Sequence, residues 1–451
     1  MKGMKGLIIG LGRAGCGMAI GLKRVGADVS VVDEKSADNR KILSAMDEMA
    51  TIGVSVTTCW TGDVDWDDID FIAPSPGVPM HHPALQEAVL RNIPIYSEPE
   101  IAYRITDSPI IAITGTNGKS TVTALTYFLI KNCGKESILC GNIAGSGFPE
   151  VTICEAAVQA NPDAVLVAEV SSFQLEWVSH FKPKGATITS ISEDHLDRYQ
   201  NIETYIEMKR KTFMNMNEED FAVVNKLSAN TNEGIPESVK AFFIDSKNAD
   251  AVIEEDSLSF GNINKKININ ELWSPTKFNL QNTATACLLA HGCGIPIENL
   301  IEKVIEFPGL SNRMERIESS TGIEFINNSM CTNPSALSAS LSSFKKPVLL
   351  LAGGINKIRN WEEVSKVSKS IKKAFVFGKD RDWLERFFYE NKVDVEQFGS
   401  LSEAFQNAFS SAQKSDTILL SPGCASFDQF ESFIERGNEF RKLVQEVIEY
   451  V

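Results

Sequence analysis

Apolar residues along the chain fall into short runs, separated by longer stretches that place apolar positions at helical spacing. Near the start, the short runs occupy residues 6–10, 27–34, 55–59, 70–78 and 93–97. Helix-like stretches lie among them at residues 18–25 and 83–91. Buried strands that alternate with helices indicate a parallel sheet with helices on its faces. The pattern therefore predicts a first α/β unit that ends near residues 106–109.

The same alternation continues in a second unit, which opens with a strand, a glycine loop and a helix over residues 109–132. Its later elements are predicted as strands at 164–172, 185–192 and 221–226 and a helix at 280–294. Residues 240–272 alternate over shorter distances, which predicts small antiparallel strands inserted in this unit.

A proline–glycine break within residues 307–319 leads into a third unit of the same kind. Its strands are predicted at 322–327, 347–354, 373–378 and 416–423. We therefore predict an α/β protein with three units in series, at residues 1–107, 108–308 and 309–451. A length of 451 residues agrees with this division at ~150 residues per domain.

Charge and cysteine usage narrow the class of protein. The formal charge of −15 argues against general binding to nucleic acids or anionic membranes, so an anionic small-molecule substrate would need local cationic side chains. Nine cysteines without a C-x-x-C pair favour reduced thiols in a cytoplasm. We see neither a cleavable signal at the start nor an apolar run of the ~18 residues needed to span a membrane, and we expect a monomer.

The first glycine loop has the spacing Gly10-x-Gly12-x-x-Gly15, with Asp33 at the end of the next predicted strand. This spacing is typical of dinucleotide-binding loops, in which glycines let the backbone approach a pyrophosphate at a helix N-terminus. The same glycines also occur in a tight turn that binds nothing. A nicotinamide cofactor, an empty turn and an anionic group of a substrate all remain open here.

The second glycine loop has the composition of a phosphate loop, although position 113 is isoleucine and the usual first glycine is missing. Its backbone N–H groups can surround phosphates, Lys119 can reach the terminal phosphate, and Ser120 or Thr121 can bind Mg²⁺. The predicted nucleotide-binding residues in this loop are Gly115, Thr116, Asn117, Gly118, Lys119, Ser120 and Thr121.

Further candidates for chemistry follow this loop. Glu169 ends a predicted buried strand, where a carboxylate can bind Mg²⁺. The segment after residue 190 offers His195, Asp197 and Arg198. Tyr205 and Lys209 are four residues apart and would share one helix face. A solvated Lys209 at the start of a basic run is the alternative.

These motifs together resemble the Mur ligase superfamily, and the MurD-like branch most closely. The resemblance rests on "GTNGKST", "EVSSFQLE", "EDHLDRY", the Y-x-x-x-K pair, "LSPGCASFDQF" and "RGNEF", which span the chain in order. It implies a Rossmann-like N-terminal substrate domain, a central P-loop ATPase and a Rossmann-like C-terminal domain. The first glycine loop would then hold an anionic part of the substrate, and the second would bind ATP.

The resemblance also implies roles for individual residues in an ATP-dependent ligase that forms an acyl phosphate. Lys119 would contact the γ-phosphate, Ser120 and Glu169 would bind one Mg²⁺, and Glu169, His195 and Lys209 would serve a second. Lys209 would do so as a carbamate formed with CO₂, because an ammonium group cannot bind a hard cation. Further matches are Asn282 and Arg313 for the nucleotide, Asn142 for the substrate, and Lys357, Ser426 and Phe433 around an incoming amino acid.

The chain departs from MurD-type ligases in its third unit. Asn328 and Met330 stand where the N-D-S-K-x-T-N motif has aspartate and lysine, whereas Thr332 is kept. Asn312 and Gln281 each replace a histidine. Methionine carries no positive charge, so an amino acid with two carboxylates would lose a counter-ion.

This departure favours a MurD-like enzyme outside murein synthesis. Our specific expectation is the synthetase that closes the carbocyclic ring of the nickel tetrapyrrole coenzyme F430, where a carbon of the same molecule attacks the activated carboxylate. The alternative is the ligase that joins D-glutamate to UDP-N-acetylmuramoyl-L-alanine. Retention of Lys119, Glu169, His195 and Lys209 disfavours a non-catalytic scaffold. An NAD-dependent dehydrogenase is disfavoured because residues matching the ATP site extend across the other two domains.

Overall fold

The computed structural model describes residues 1–37, 40–195, 198–261, 263 and 265–449. Asp197, one of the residues singled out above, lies outside this part of the chain. The chain divides into two compact units: Met1–Ala144 with Phe148–Pro308, and Gly145–Gly147 with Gly309–Val451. No helix among the described residues is both long and apolar enough to cross a membrane. The domain boundaries at 107 and 308 stay a prediction.

The N-terminal part of the first unit is a small parallel sheet with helices. Its elements are β1 (Lys5–Ile9), α1 (Arg13–Arg24), β2 (Asp28–Val32), α2 (Arg40–Thr51), β3 (Ser55–Thr57), β4 (Phe71–Pro74), α3 (Pro83–Leu90) and α4 (Glu98–Ile105). The strand order is β3-β2-β1-β4. The strand predicted at 93–97 is wrong: only Ile95 pairs, in a single bridge with Ile72. Pro94 has no N–H to donate to a ladder, which limits pairing there.

The rest of the first unit is built on a larger sheet, with ten strands among the described residues. Its first half contains β5 (Ile110–Thr114), α5 (Lys119–Asn132), β6 (Ser137–Gly141), β7 (Glu150–Val151), α6 (Ile153–Gln159), β8 (Val165–Glu169), β9 (Gly185–Ile188) and α7 (Ile202–Arg210). Its second half contains β10 (Phe221–Asn225), β11 (Lys240–Asp245), β12 (Ala251–Ile253), β13 (Ser257–Phe260), β14 (Ile267–Asn268), α8 (Lys277–Gly292) and α9 (Ile297–Val304). The strand order is β14-β13-β12-β11-β10-β9-β5-β8-β6-β7.

The prediction for residues 240–272 is wrong in part. β11 and β12 extend the main sheet in parallel, and only β13 and β14 are antiparallel to their neighbours. The connection from β10 to β11, residues 226–239, is long enough for a crossover, and short-range alternation does not reveal the direction of pairing.

The two sheets of the first unit share one apolar core. Helices α1 and α6 pack so closely that a Cβ atom on Gly17 would overlap the hydroxyl of Thr152. The buried Glu98 carboxylate accepts hydrogen bonds from the N–H groups of Ile153 (2.6 Å) and Cys154 (3.3 Å) at the start of α6. Acceptors at a helix N-terminus satisfy backbone donors that have no partner within the helix.

The second unit is one mixed sheet with helices on both faces. Its elements are β15 (Glu315–Ile317), β16 (Glu324–Asn327), α10 (Pro334–Leu341), β17 (Val348–Gly353), α11 (Glu362–Lys366), β18 (Ile371–Phe377), α12 (Arg381–Glu390), β19 (Val395–Phe398), α13 (Leu401–Ser411), β20 (Thr417–Leu420) and α14 (Phe433–Glu449). The strand order is β15-β16-β20-β17-β18-β19, and only β15 is antiparallel to its neighbour. An apolar core lies on each face of this sheet.

We expect Gly17→Ala to lower the free energy of unfolding by about 1–3 kcal/mol, because the added methyl group forces α1 away from Thr152. Urea denaturation measures this change. Gly77→Ala is the matched control, since Gly77 is exposed and a Cβ atom there meets no other atom within 4 Å. Equal losses in the two variants would contradict the packing argument.

Candidate active site

The central strands of the large sheet gather the predicted nucleotide and metal residues at one edge. β9, β5, β8 and β6 are adjacent and parallel, so their carboxyl ends meet there. Glu169 pairs in register with Ile113 on one side and Gly141 on the other. The phosphate loop follows β5 and Asn142 follows β6, so both lie beside Glu169. Ligand sites of parallel α/β sheets form at this edge.

The phosphate loop is held in a conformation that suits backbone binding of phosphate. Gly118 caps α5 with φ +89°, which a residue with a side chain rarely adopts. Thr189 and Ser190 donate hydrogen bonds to the carbonyl of Asn117, at 2.6 and 3.0 Å. Asn282 on α8 lies against the loop, since its Oδ1 is 2.7 Å from where a Cβ of Gly118 would be.

Two lysines converge on one carbonyl oxygen of this loop. Lys119 Nζ donates to Gly115 O (2.9 Å) and to Thr116 O (2.9 Å), and Lys209 Nζ donates to the same Gly115 O (2.8 Å). Lys209 is 1% exposed, so the alternative of a solvated lysine is wrong. Burial, and after it the charge of Lys119, holds the pKa of Lys209 well below its usual value. The Lys209 side chain is therefore biased towards its neutral amine.

Glu169 has the features of a carboxylate that binds a cation. Asn142 Nδ2 donates to its Oε1 (3.1 Å), whereas Oε2 is buried and has no hydrogen-bond partner among the described residues. A buried carboxylate oxygen without a partner is costly, and a hard cation such as Mg²⁺ would satisfy it. Within the described ranges no three His, Cys, Asp or Glu side chains form a metal cluster. The Mg²⁺ sites predicted from the sequence do not need one, because that prediction also uses Ser120, a carbamate on Lys209 and phosphate oxygens as ligands.

His195 reaches the same region from the segment between β9 and α7. Its side chain is 43% exposed, and its ring centroid lies 4.7 Å from that of Phe173 and 6.1 Å from that of Tyr205. The hydroxyl oxygen of Tyr205 lies 3.3 Å from that of Thr116, and its ring centroid lies 4.4 Å from Lys209 Nζ. The shared helix face of Tyr205 and Lys209 is confirmed, and His195 lies next to it.

Arg198 fixes this segment, a role that the motif alone did not reveal. Its guanidinium makes two hydrogen bonds to the buried Glu176 carboxylate (2.7 and 2.6 Å) and one to the carbonyl of Val78 (2.8 Å). Val78 lies in the N-terminal part of the unit, close to Gly10. Arg198 therefore connects the His195 segment to the first glycine loop.

The first glycine loop is braced by Asp33. One carboxylate oxygen of Asp33 accepts from Leu11 N (2.7 Å) and the other from Lys35 N (2.9 Å). Both carboxylate oxygens of Asp33 therefore hold the backbone of the loop in place. A carboxylate that binds the ribose of a dinucleotide would instead direct its oxygens at the ribose hydroxyls. Gly10 follows β1, Gly12 caps α1 and Gly15 is buried in its first turn. The start of α1 leaves N–H groups free to approach an anion.

Arg13 was missed at the sequence level. It is an exposed cation at the start of α1, and its guanidinium donates to the carbonyl of Ile143 (2.6 Å), next to Asn142. Arg13 supplies the kind of local positive charge that an anionic substrate would need in an acidic protein. In the sequence, the one sign of this role is that Arg13 directly follows Gly12 in the first glycine loop.

In the second unit, the predicted acceptor residues lie in loops at one edge of the sheet. β16, β20 and β17 are adjacent and parallel, and the loops that follow them carry Asn328, Met330 and Thr332, then Ser426, then Lys357. Ile355 and Ala425 exchange two backbone hydrogen bonds (2.8 and 3.0 Å) between two of these loops. Phe433 begins α14. Arg313 also belongs to this unit, and its contact with nucleotide stays a prediction.

Asn328, in the motif that departs from MurD-type ligases, is held by hydrogen bonds on both sides of its amide group. Asn328 Nδ2 donates to Ser421 Oγ (3.1 Å), while its Oδ1 accepts from Met314 N (3.2 Å). Met330 is half-buried and its N–H donates to Asn312 O (3.1 Å). The Asn328 amide thus uses both its donor and its acceptor, whereas an aspartate could only accept hydrogen bonds here.

One edge of the large sheet carries a phosphate loop, a buried lysine and a buried carboxylate oxygen that has no hydrogen-bond partner among the described residues. This combination is typical of an enzyme that transfers a phosphoryl group from a nucleotide. The chain matches three family models: the MurD-like N-terminal domain of Mur ligases at residues 4–97, the Mur ligase middle domain at 113–290, and the Mur ligase glutamate ligase domain at 312–424. It therefore belongs to the Mur ligase family, and to its MurD-like branch. Members are ATP-dependent ligases that form ADP and phosphate, and this chain is such an enzyme.

The chain is also similar over nearly its whole length to individual Mur ligases, in sequence and in structure. The UDP-N-acetylmuramoylalanine–D-glutamate ligase of Caldicellulosiruptor saccharolyticus is 35% identical, covering 99% of both chains. The MurC ligase of Thermotoga maritima has a TM-score of 0.65 at 17% identity, covering 98% of this chain and 100% of its own. A pseudomurein peptide ligase type C from Methanothermus fervidus has a TM-score of 0.59 at 19% identity, with the same coverage. At these identities the two structures show the fold alone.

We expect Asn142→Ala to weaken Mg²⁺ binding about 10- to 100-fold, because Glu169 loses the hydrogen bond that orients its carboxylate. Calorimetric titration of Mg²⁺ in the presence of a non-hydrolysable ATP analogue measures the affinity. Asn132→Ala is the control, since Asn132 is an exposed residue of α5 whose side-chain amide donates to the carbonyl of Phe128 in its own helix. Unchanged Mg²⁺ affinity in Asn142→Ala would rule out this orienting role.

Proposed function

We propose that the protein joins D-glutamate to UDP-N-acetylmuramoyl-L-alanine with hydrolysis of ATP to ADP and phosphate. The observation that carries the proposal is the full-length likeness, at 32–35% identity, to enzymes named for that reaction. The site supports it, because the residues for ATP and metal chemistry lie together at one sheet edge. The coenzyme F430 synthetase favoured by the sequence has no support among these relatives.

The reaction has two steps. A carboxylate oxygen of the substrate attacks the γ-phosphorus of ATP, the bond to the β-phosphate oxygen breaks, and ADP leaves. The amine of D-glutamate then attacks the carbonyl carbon of the acyl phosphate, inorganic phosphate leaves, and the amine loses a proton. Charge builds up on phosphate oxygens in both steps, so positioning and electrostatic stabilisation supply most of the catalysis.

The residues of the first unit fit these demands. Lys119, now bonded to Gly115 O and Thr116 O, would turn to the γ-phosphate when the nucleotide enters. Ser120 and Glu169 would hold one Mg²⁺, and Glu169, His195 and Lys209 the second. Mg²⁺, when bound, neutralises charge on the transferred phosphate. The first glycine loop and Arg13 would hold the anionic part of the nucleotide-sugar substrate.

Lys209 would act as a carbamate. Its lowered pKa favours the neutral amine, whose lone pair can attack the carbon of CO₂, and loss of one proton then gives an anionic carbamate. The anion would lie beside the Lys119 cation, since both side chains contact Gly115 O, and the two charges would attract each other.

We expect Lys209→Ala to lose about 100-fold or more in activity, and acetate or formate to restore part of it by replacing the carbamate oxygens. Phosphate release is the measurement. Lys119→Ala is the matched control: it loses a cation, so short carboxylates should not restore it. Full activity of the unmodified enzyme in rigorously CO₂-free buffer, after dialysis at low pH, would count against the carbamate.

A second candidate function rests on the neutral motif in the second unit. Asn328 and Met330 offer no charge to a second carboxylate of the acceptor, and Asn328 is fixed by Ser421 and Met314. An acceptor that is a carbon of the activated molecule itself would not need that charge. Ring closure in a seco-tetrapyrrole acid, as for coenzyme F430, is a reaction of this kind.

Product mass distinguishes the two candidates. With UDP-N-acetylmuramoyl-L-alanine, ATP and D-glutamate, we expect a product that carries one added glutamyl residue. Ring closure instead removes one water from a single substrate, and added amino acids have no effect on phosphate release. Absence of a glutamyl product, together with dehydration of the seco-tetrapyrrole acid, would reject ligation and support the second candidate.

A further inference from the structure

Arg436 is a fully buried arginine in the second unit, with a relative exposure of 0%. It lies near the start of α14, three residues after Phe433. Arginine is rarely buried without a charged partner. Yet no carboxylate within the described residues lies within ion-pair distance of its guanidinium.

The guanidinium donates hydrogen bonds to three separate segments of the chain. Its Nε and Nη2 donate to Oγ and O of Ser329 (3.1 and 2.8 Å), which follows β16. Its Nη1 donates to Gly353 O (3.2 Å) at the end of β17 and to Cys424 O (3.0 Å) after β20. One side chain therefore connects the ends of three adjacent strands.

Each bonded residue is close in sequence to a predicted acceptor residue. Ser329 precedes Met330, Gly353 lies four residues before Lys357, and Cys424 lies two before Ser426. Ser329 Oγ also donates to the carbonyl of Phe433 (2.8 Å). All four regions predicted to surround the acceptor thus depend on contacts with Arg436 or with its partner Ser329.

The chemistry of these bonds explains why a guanidinium is used. Burial lowers the pKa of Arg436 to about 10, which leaves it charged at neutral pH. Its planar group presents donors in fixed directions, and three of its four acceptors are backbone carbonyls. Lysine has three donors around one atom and cannot reach three loops in the same plane.

We propose that Arg436 is the positioning residue of the acceptor site, holding the loops that carry Met330, Lys357 and Ser426 in one arrangement. The inference rests on the proposed function for the identity of the acceptor, D-glutamate. The loop arrangement itself does not depend on that identity. Arg436 does not touch reacting atoms, so its loss acts through the loops.

The test compares Arg436→Lys and Arg436→Met with the full-length wild type by two measurements. Hydrogen–deuterium exchange is expected to become faster in residues 328–333, 353–358 and 423–427 of both variants. With UDP-N-acetylmuramoyl-L-alanine, ATP and D-glutamate, KM for D-glutamate is expected to rise about 10- to 100-fold, while KM for ATP changes less than about threefold. A purely structural defect would raise both or lower only the amount of folded enzyme.

Arg386→Lys is the matched control, because Arg386 is an exposed arginine of α12 in the same unit. It should change neither measurement. Unchanged exchange in all three segments of Arg436→Lys, or faster exchange with an unchanged KM for D-glutamate, would overturn the proposal. If the wild type does not ligate D-glutamate, the proposed function fails, and hydrogen exchange alone then decides whether Arg436 orders the loops.

Discussion

Parallel strands end on the same edge of a sheet, and both candidate sites of this protein are built from that constraint. In the first unit it brings the phosphate loop after β5 next to Glu169 at the end of β8 and Asn142 after β6. In the second unit it brings together the loops after β16, β20 and β17. The residues of each site are far apart in sequence, and the pairing register of the strands brings the ends that carry them together.

Each site also contains a buried basic side chain, Lys209 in the first unit and Arg436 in the second. The two side chains differ in how the cost of burying a positive charge is met. Lys209 shares a carbonyl with Lys119, and burial together with the charge of Lys119 holds its pKa well below the usual value, so it gives up its proton more readily than an exposed lysine. Arg436 keeps its charge, because a guanidinium holds its proton far more strongly, and it surrounds itself with carbonyl and hydroxyl oxygens. The first arrangement suits a group that must react, and the second suits a group that must hold others still.

Local sequence patterns predicted the features that depend on neighbours in the chain. Glu169 ends its strand where the apolar run stops, and Tyr205 and Lys209 share a face because they are four residues apart. Features that depend on distant residues were missed or wrong, including the parallel direction of β11 and β12. Nothing in the sequence around Arg436 signals burial, since its partners lie 12, 83 and 107 residues away.

The close contact of α1 with α6 has a consequence for how such enzymes can change their substrates. Gly17 fits Thr152 so tightly that an added Cβ atom would overlap its hydroxyl, and the N-terminal sheet and the large sheet belong to one compact unit, Met1–Ala144 with Phe148–Pro308. Exchange of the N-terminal part alone between homologues would break that fit. Point changes within loops leave that contact intact, so substrate preference can change through them without loss of the fit between α1 and α6.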